Sequence, residues 1–300
     1  MTWPNFFVIG AQKAGTTSLY HYLRQHPDVF MSAEKEPGYF KSLPTAPPKL
    51  VLPGERKIAD LDEYLRLFDG VGAERAIGEA TASYLSNAAA VERIHEAVPH
   101  AKLIAVLRNP VERAFSAYSM RVSQGVEDAS FAEAVLRERE GRRAGSESPK
   151  WRYVGPGFYG RQLSRYLQRF DREQLSVHLF EDLSRDPQRL MHDVFEFLGV
   201  DGSFVPTIAD HNVTRYAVKS QRMNRLVSRV PGKSLVRRVV PSDVWARARR
   251  SVRRRNSRMP EFAMELRRDL VELYRDDIRL TEELIGRDLS AWTVLERAPA

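Results

Sequence analysis

Phe6-Phe7-Val8-Ile9-Gly10-Ala11-Gln12-Lys13-Ala14-Gly15-Thr16-Thr17 is the stretch on which the fold turns. Its first four residues form a short apolar run closed by glycine, the pattern of a strand buried on both faces. From Thr16 to Gln25 the pattern turns helical, and His26-Pro27 halts it. The joint between them is a glycine-containing loop with a lysine in its middle and hydroxyls at its end. Amides at a helix N-terminus converge on an anion, and the helix dipole favours it. Glycine lets the backbone approach closely, while lysine and hydroxyls add charge and donors. The predicted occupant is a phosphate. The same residues also suit a tight strand-to-helix turn with an incidental lysine, so the loop alone leaves both readings open.

Outward from this unit, short apolar runs alternate with helical patterns. Ala76-Ile77-Gly78-Glu79 and Lys102 to Leu107 predict two further strands, and Leu175 to Phe180 a fourth. Pro110 suits the first position of a helix that carries Phe115, Tyr118 and Met120 and ends near Gly125. Asp186-Pro187 reads as an N-cap and first helical residue, and Gly199 as the stop. A long helical pattern runs from Pro260 through Leu266, Leu270, Leu273, Ile278 and Leu284 to Gly286. Lys41 to Lys57 and Gly141 to Pro156 read as loops. The alternation predicts an α/β fold with a parallel sheet flanked by helices. One domain over residues 1–300 is expected, with a basic insertion or flap at about 225–258.

Composition narrows the function. Three hundred residues can bury a sizeable core. The absence of cysteine excludes disulfides, thiolate metal sites and a cysteine nucleophile. The histidines show no metal-ligand spacing backed by other ligands, so no metal is expected. Met1-Thr2-Trp3-Pro4-Asn5 does not look like the start of a signal peptide. No apolar run approaches the roughly 20 residues that span a bilayer, so the expected location is the cytoplasm. The net charge of +8 is uneven: Arg225 to Arg258 holds twelve basic residues against Asp243 alone, leaving the remainder net acidic. The high charge therefore belongs to one stretch, and nucleic acid is not an expected partner. The stretch suits a solvated arginine-rich face. With Leu226, Val227, Val230 and Trp245 interleaved, it also suits an anionic membrane or a lipid-like acceptor. A dock for an acidic carrier protein is the third reading.

The strand at Leu103-Ile104-Ala105-Val106-Leu107 discriminates between phosphate-loop chemistries. A nucleoside triphosphatase would usually end a neighbouring strand with an aspartate that helps hold Mg²⁺. Here the strand ends in Arg108-Asn109-Pro110. A cation at that edge suits a phosphate directly, and Ser116 in the following helix offers a hydroxyl. Two anion sites on neighbouring strand ends fit a ligand with two separated phosphates. A structural salt bridge at Arg108 is the alternative.

Three segments then resemble one family, and Phe158 to Leu163, Phe180 to Leu183 and Leu284 to Trp292 resemble the same group. Gln12-Lys13-Ala14-Gly15-Thr16-Thr17-Ser18-Leu19 is similar to the 5′-phosphosulfate loop of sulfotransferases that use 3′-phosphoadenosine-5′-phosphosulfate (PAPS). Leu107-Arg108-Asn109-Pro110-Val111-Glu112-Arg113-Ala114-Phe115-Ser116-Ala117-Tyr118 resembles their 3′-phosphate segment. Lys35-Glu36-Pro37-Gly38-Tyr39-Phe40 resembles the base-bearing segment of the heparan-sulfate-type branch and its bacterial relatives. The resemblance implies a P-loop-containing, nucleotide-kinase-like α/β fold. It also implies in-line, metal-independent transfer from PAPS, with adenosine 3′,5′-bisphosphate (PAP) as product. Lys13, Ala14, Gly15, Thr16, Thr17 and Ser18 would hold the 5′ side of the donor, with Lys13 also offsetting charge during transfer. Arg108 and Ser116 would bind the 3′-phosphate, and Glu36 would take the acceptor's proton. Gly38 and Ala80 depart from the heparan-type pattern, where histidine and lysine are frequent.

An alcohol nucleophile must lose a proton, so a carboxylate within reach is useful. On residues alone, Glu34-Lys35-Glu36 also reads as a solvated charge run. Glu79, at a strand end where ligand sites gather, is a second candidate, and orienting Lys13 or an acceptor hydroxyl is its alternative role. His211 is a further possible base and equally suits packing or capping a turn; Lys219 and Arg222 lie in a polar stretch that suits either closure over the nucleotide or a solvated loop. The acceptor class left open spans small molecules, glycans and lipid-like alcohols or amines. Two rival functions predict otherwise: a P-loop kinase requires ATP and Mg²⁺, and a non-catalytic anion- or membrane-binding protein acts through the basic segment alone.

Overall fold

The computed structural model describes residues 2–41, 58, 60–124, 127–141, 152–208, 217–218, 257–258 and 262–295. The chain divides into two compact units. The first comprises Met1–Arg113, Gly155–Asn212 and Leu270–Ala300; the second comprises Ala114–Val154 and Val213–Asp269. No helix among the described residues is long and apolar enough to cross a membrane.

The first unit is an α/β layer built on β1 (Phe6–Gly10), α1 (Thr16–Leu23), β2 (Val29–Met31), α2 (Leu61–Leu65), β3 (Ala76–Ala80), α3 (Ala88–Ala97) and β4 (Lys102–Leu107). α4 (Pro110–Ser123) and α5 (Phe131–Arg139) follow. The chain then supplies α6 (Tyr159–Leu167), β5 (Leu175–Leu179), α7 (Phe180–Arg185) and α8 (Pro187–Leu198). After the short strands β6 (Ala217–Val218) and β7 (Ser257–Arg258), α9 (Met264–Ile285) is the last long helix. Five parallel strands form one sheet in the order β2-β3-β1-β4-β5.

Hydrophobicity explains that order. All five residues of β1 are buried, and β4 is buried from Leu103 to Leu107, as central strands must be. β5, at one edge, leaves Ser176, Val177 and His178 half-buried. Gly78 in β3 faces the Phe6 ring so closely that a Cβ would lie 2.3 Å from it. From β1 the chain moves through α1 toward β2, and from β4 it moves toward β5. Connections leaving neighbouring strands in opposite directions open a crevice at their C-terminal ends, the usual ligand position of such sheets.

The predicted strands stand where the pattern places them, with small shifts that have local causes. α1 closes at Leu23 and β5 at Leu179, because Phe180 opens α7. Asp186 caps α8 by accepting from Arg189 N at 3.0 Å, and Gly199 ends it at φ 81°. The last helix starts at Met264. On α9, Asp277 accepts from the Gly160 and Arg161 amides at 2.8 and 3.1 Å and so caps α6.

In the second unit, Phe115, Tyr118, Phe131 and Phe262 form an aromatic cluster with ring centroids 4.8–6.2 Å apart. Tyr153 donates its hydroxyl to Glu127 at 2.8 Å. β6 and β7 pair antiparallel, Ala217 opposite Arg258 and Val218 opposite Ser257. His211, Lys219 and Arg222, residues 42–57 and 142–151, and the basic segment except its last two residues lie outside the described residues.

Candidate active site

The loop predicted for phosphate leaves β1 at its C-terminal end, beside the crevice. Ala11 donates to the Val106 carbonyl of β4 at 2.7 Å, which ties the loop to the neighbouring strand. Lys13 at φ 71° and Gly15 at φ 87° turn the chain into α1. Gly15 is the N-cap and offers no side-chain oxygen, and the first turn of α1 has no acidic residue. The first-turn amides are therefore left for an external acceptor. Ala14 and Thr16 are buried; Gln12, Lys13, Thr17 and Ser18 are half-buried.

Arg108 meets this loop. Its Nη1 donates to the Lys13 carbonyl at 3.2 Å, and its guanidinium lies over the Phe180 ring, 4.6 Å from the centroid. Burial lowers the Arg108 pKa, against the opposing influence of Glu112, Tyr159 and Glu181. An arginine stays charged at such a site, with further N–H donors beyond the one given to Lys13. A partly desolvated cation beside an uncapped helix N-terminus is a donor set for two anionic groups. Behind it, Asn109 caps α4 by accepting from Val111 N and Glu112 N at 3.0 and 3.3 Å. Asn109 Nδ2 donates to the Trp292 carbonyl at 3.1 Å, and Trp292 Nε1 to Glu181 at 3.2 Å. The Tyr159 hydroxyl, pushed up to about 12 by burial, donates to the Arg108 carbonyl at 3.0 Å. Ser116 is half-buried on α4, in the second unit.

Glu36 is held at the C-terminal end of β3. Its amide donates to the Ala80 carbonyl at 2.9 Å, and its Oε1 accepts from Ala82 N at 3.3 Å and Lys35 Nζ at 3.0 Å. Both side-chain contacts fall on Oε1, and the side chain is 37% exposed. The turn that follows β3 reaches β1 as well: Thr81 N donates to Val8 O at 3.1 Å and Leu85 N to Ile9 O at 2.8 Å. Glu36 is therefore held at the end of β3, the strand beside β1, from which the phosphate loop leaves. Gly38 stands at φ 71°, and a Cβ there would lie 2.6 Å from Lys41 Cε and 3.0 Å from its Nζ. The space over Gly38 is thus occupied by the Lys41 side chain.

Glu79 lies deeper. It is wholly buried, and three hydroxyls donate to it: Tyr64 at 3.0 Å, Tyr84 at 2.7 Å and Thr81 at 2.6 Å. Burial raises its pKa to about 7 against the lowering effect of those hydrogen bonds. Sequence reasoning assigned no role to Tyr64, Thr81 and Tyr84, nor to Tyr159, Phe180, Glu181 and Trp292 around Arg108. The last four lie in stretches that resemble the family, but a resemblance of a stretch does not say which residue touches Arg108.

Residues 4–278 match the family model of the sulfotransferase domain. A solved sulfotransferase from Alicyclobacillus acidocaldarius is 36% identical, with a TM-score of 0.75 over 97% of this chain and 99% of that one. A bifunctional heparan sulfate N-deacetylase/N-sulfotransferase of Drosophila melanogaster is 28% identical over 77% of this chain and 22% of its own length. Human carbohydrate sulfotransferase 15 is 30% identical over 66% of this chain and 44% of its own length. The chain thus spans less than half the length of these two curated relatives.

Proposed function

The chain belongs to the sulfotransferase domain family, and from that premise we propose that it transfers the sulfuryl group of PAPS directly to a hydroxyl or amine, without a metal ion. The observation that carries this reading is the hydrogen bond from Arg108 to the Lys13 carbonyl, which joins a cationic strand end to an uncapped helix N-terminus. That pairing provides for two separate anionic groups on one nucleotide. At the position where a kinase-like site would use an acidic residue for Mg²⁺, the chain has Arg108.

In this reading the amides of Gly15, Thr16 and Thr17, with Ala14 and Ser18 beside them, hold the 5′-phosphosulfate, and Arg108 holds the 3′-phosphate. Glu36 accepts the acceptor's proton as the new bond to sulfur forms. The bond from sulfur to the bridging phosphate oxygen breaks, and Lys13 offsets the charge left on the departing PAP. Positioning and charge stabilisation supply most of the acceleration. The named activities of the Drosophila and human relatives support a glycan-like acceptor. With Gly38 and Ala80 in place of side chains frequent in the heparan-type branch, and Lys41 over Gly38, the acceptor surface differs from that branch.

The test is transfer of label from radiolabelled PAPS, in EDTA, into an extract of the cells that make the protein. Labelled product is expected, and Glu36→Gln should lower turnover by about 10²–10⁴-fold while PAP still binds. Strict dependence on Mg²⁺, or ATP serving as the donor, would refute the reading.

A further inference from the structure

We propose that Glu79 is a positioning residue for the transfer reaction, holding through three hydroxyls the segment that carries Glu36; the inference rests on Glu36 being the base.

Each hydroxyl bonded to Glu79 leads to a different residue just after Glu36-Pro37. Thr81 Oγ1 gives its hydrogen to Glu79 and accepts from the Gly38 amide at 3.2 Å. The Tyr84 hydroxyl gives its hydrogen to Glu79 and accepts from the Phe40 amide at 3.3 Å. Tyr64 gives its hydroxyl hydrogen to Glu79 and stacks its ring on Tyr39, with centroids 4.5 Å apart and planes at 13°. Three consecutive residues, Gly38, Tyr39 and Phe40, are thus held by one buried carboxylate through three intermediaries.

The polarity of this network is one-directional. An ionised carboxylate only accepts, and a hydroxyl has a single hydrogen. With Glu79 taking the hydrogens of Thr81 and Tyr84, their lone pairs remain for the two backbone amides. The segment needs such support because Glu36 itself stands at φ 64°, a conformation unfavourable for a residue with a Cβ. Glu79 is fully buried, so its influence on the acceptor passes through Glu36 rather than through contact.

Glu79→Gln keeps the shape and reverses the polarity at one oxygen. The new amide N–H would face a hydroxyl, and that hydroxyl would have to turn its hydrogen toward a backbone amide that also donates. The clamp then loosens with little change in volume.

The experiment is a double-mutant cycle of Glu79→Gln and Glu36→Gln, at pH 8. Its readouts are the initial rate of label transfer from radiolabelled PAPS into the cell extract, at saturating PAPS, and PAP binding by calorimetry. Glu79→Gln alone should slow transfer about 10–100-fold through misplacement of the base, with PAP affinity within about twofold. In the Glu36→Gln background, adding Glu79→Gln should change the rate by less than about threefold, because the group being positioned is already disabled. Multiplicative losses in the double variant, or an unchanged rate in Glu79→Gln, would overturn the positioning role while leaving the base reading intact. Near-normal turnover in Glu36→Gln would overturn the base reading and this inference with it. Should Glu79→Gln not fold, Thr81→Val and Tyr84→Phe each cut one arm, and the same lack of additivity with Glu36→Gln is expected of them.

Discussion

Replacing Gly15 by alanine is the most demanding test of the phosphate loop, because two separable costs can be worked from its surroundings. Gly15 has φ 87° and ψ 7°, in the left-handed region, where a residue with a Cβ loses about 1–2 kcal/mol. A Cβ there would also stand 2.5 Å from Leu183 Cδ2 and 3.2 Å from the Phe180 ring. Forcing a methyl group into packed surroundings costs about 1–3 kcal/mol more. Gly15→Ala should therefore destabilise the protein by about 2–5 kcal/mol, read from urea unfolding. If the loop shifts to relieve the clash, the first-turn amides move with it, and calorimetry should show weakened PAP binding instead. The two costs separate in a Leu183→Ala background, where the methyl has room and only the backbone cost remains. The coupling between the two substitutions should be about 1–3 kcal/mol. A Gly15→Ala protein of normal stability that binds PAP normally would refute the account of the loop. Strict additivity with Leu183→Ala would show that Leu183 is not the obstacle.

Arg108→Met should weaken PAP binding about 10–100-fold, the range of a charge-assisted hydrogen bond, and leave adenosine 5′-monophosphate affinity nearly unchanged; equal losses for both nucleotides would count against a 3′-phosphate role. Glu79 binds its proton more tightly in the folded protein, at about 7 against 4.5, so its contribution to stability is fully present below pH 4.5 and lost as the pH rises through 7. That contribution is about 3 kcal/mol, and Glu79→Gln should remove it, so urea midpoints at pH 5 and pH 8 should differ less in the variant than in the wild type. Replacing Arg253, Arg254 and Arg255 with serine should reduce association with anionic liposomes or slow transfer to the acceptor while nucleotide affinity stays unchanged; unchanged liposome association and transfer would return the segment to a solvated face.

The layer that carries the site was legible because its signals are local. β1 and β4 are continuous apolar runs, and only a strand buried on both faces needs such a run. Pro110, Asp186 and Gly199 mark helix ends through their own backbone chemistry. β2 escaped notice because Val29-Phe30-Met31 is too short to show a period, and only its pairing with β3 defines it as a strand. Lys13, Gly15 and Arg108 were legible as a phosphate site because loop, helix start and strand end each carry their own pattern. The link between Arg108 and the Lys13 carbonyl was not, since it joins residues far apart in the chain. The same holds for Glu79. A carboxylate at a strand end looks available to a ligand, and only the folded chain reveals Tyr64, Thr81 and Tyr84 closing over it.

The pairing of β6 with β7 brings Val218 and Ser257 side by side. Loop-closure entropy changes by only about 0.6 kcal/mol for each doubling of length, so two residues paired in this way tolerate flexible connections of very different length. A short glycine-serine bridge from Val218 to Ser257 should leave the five-stranded sheet and its phosphate loop folded. The corresponding stretch of another family member could be spliced between the same two residues, making this pair a practical junction for building chimaeras.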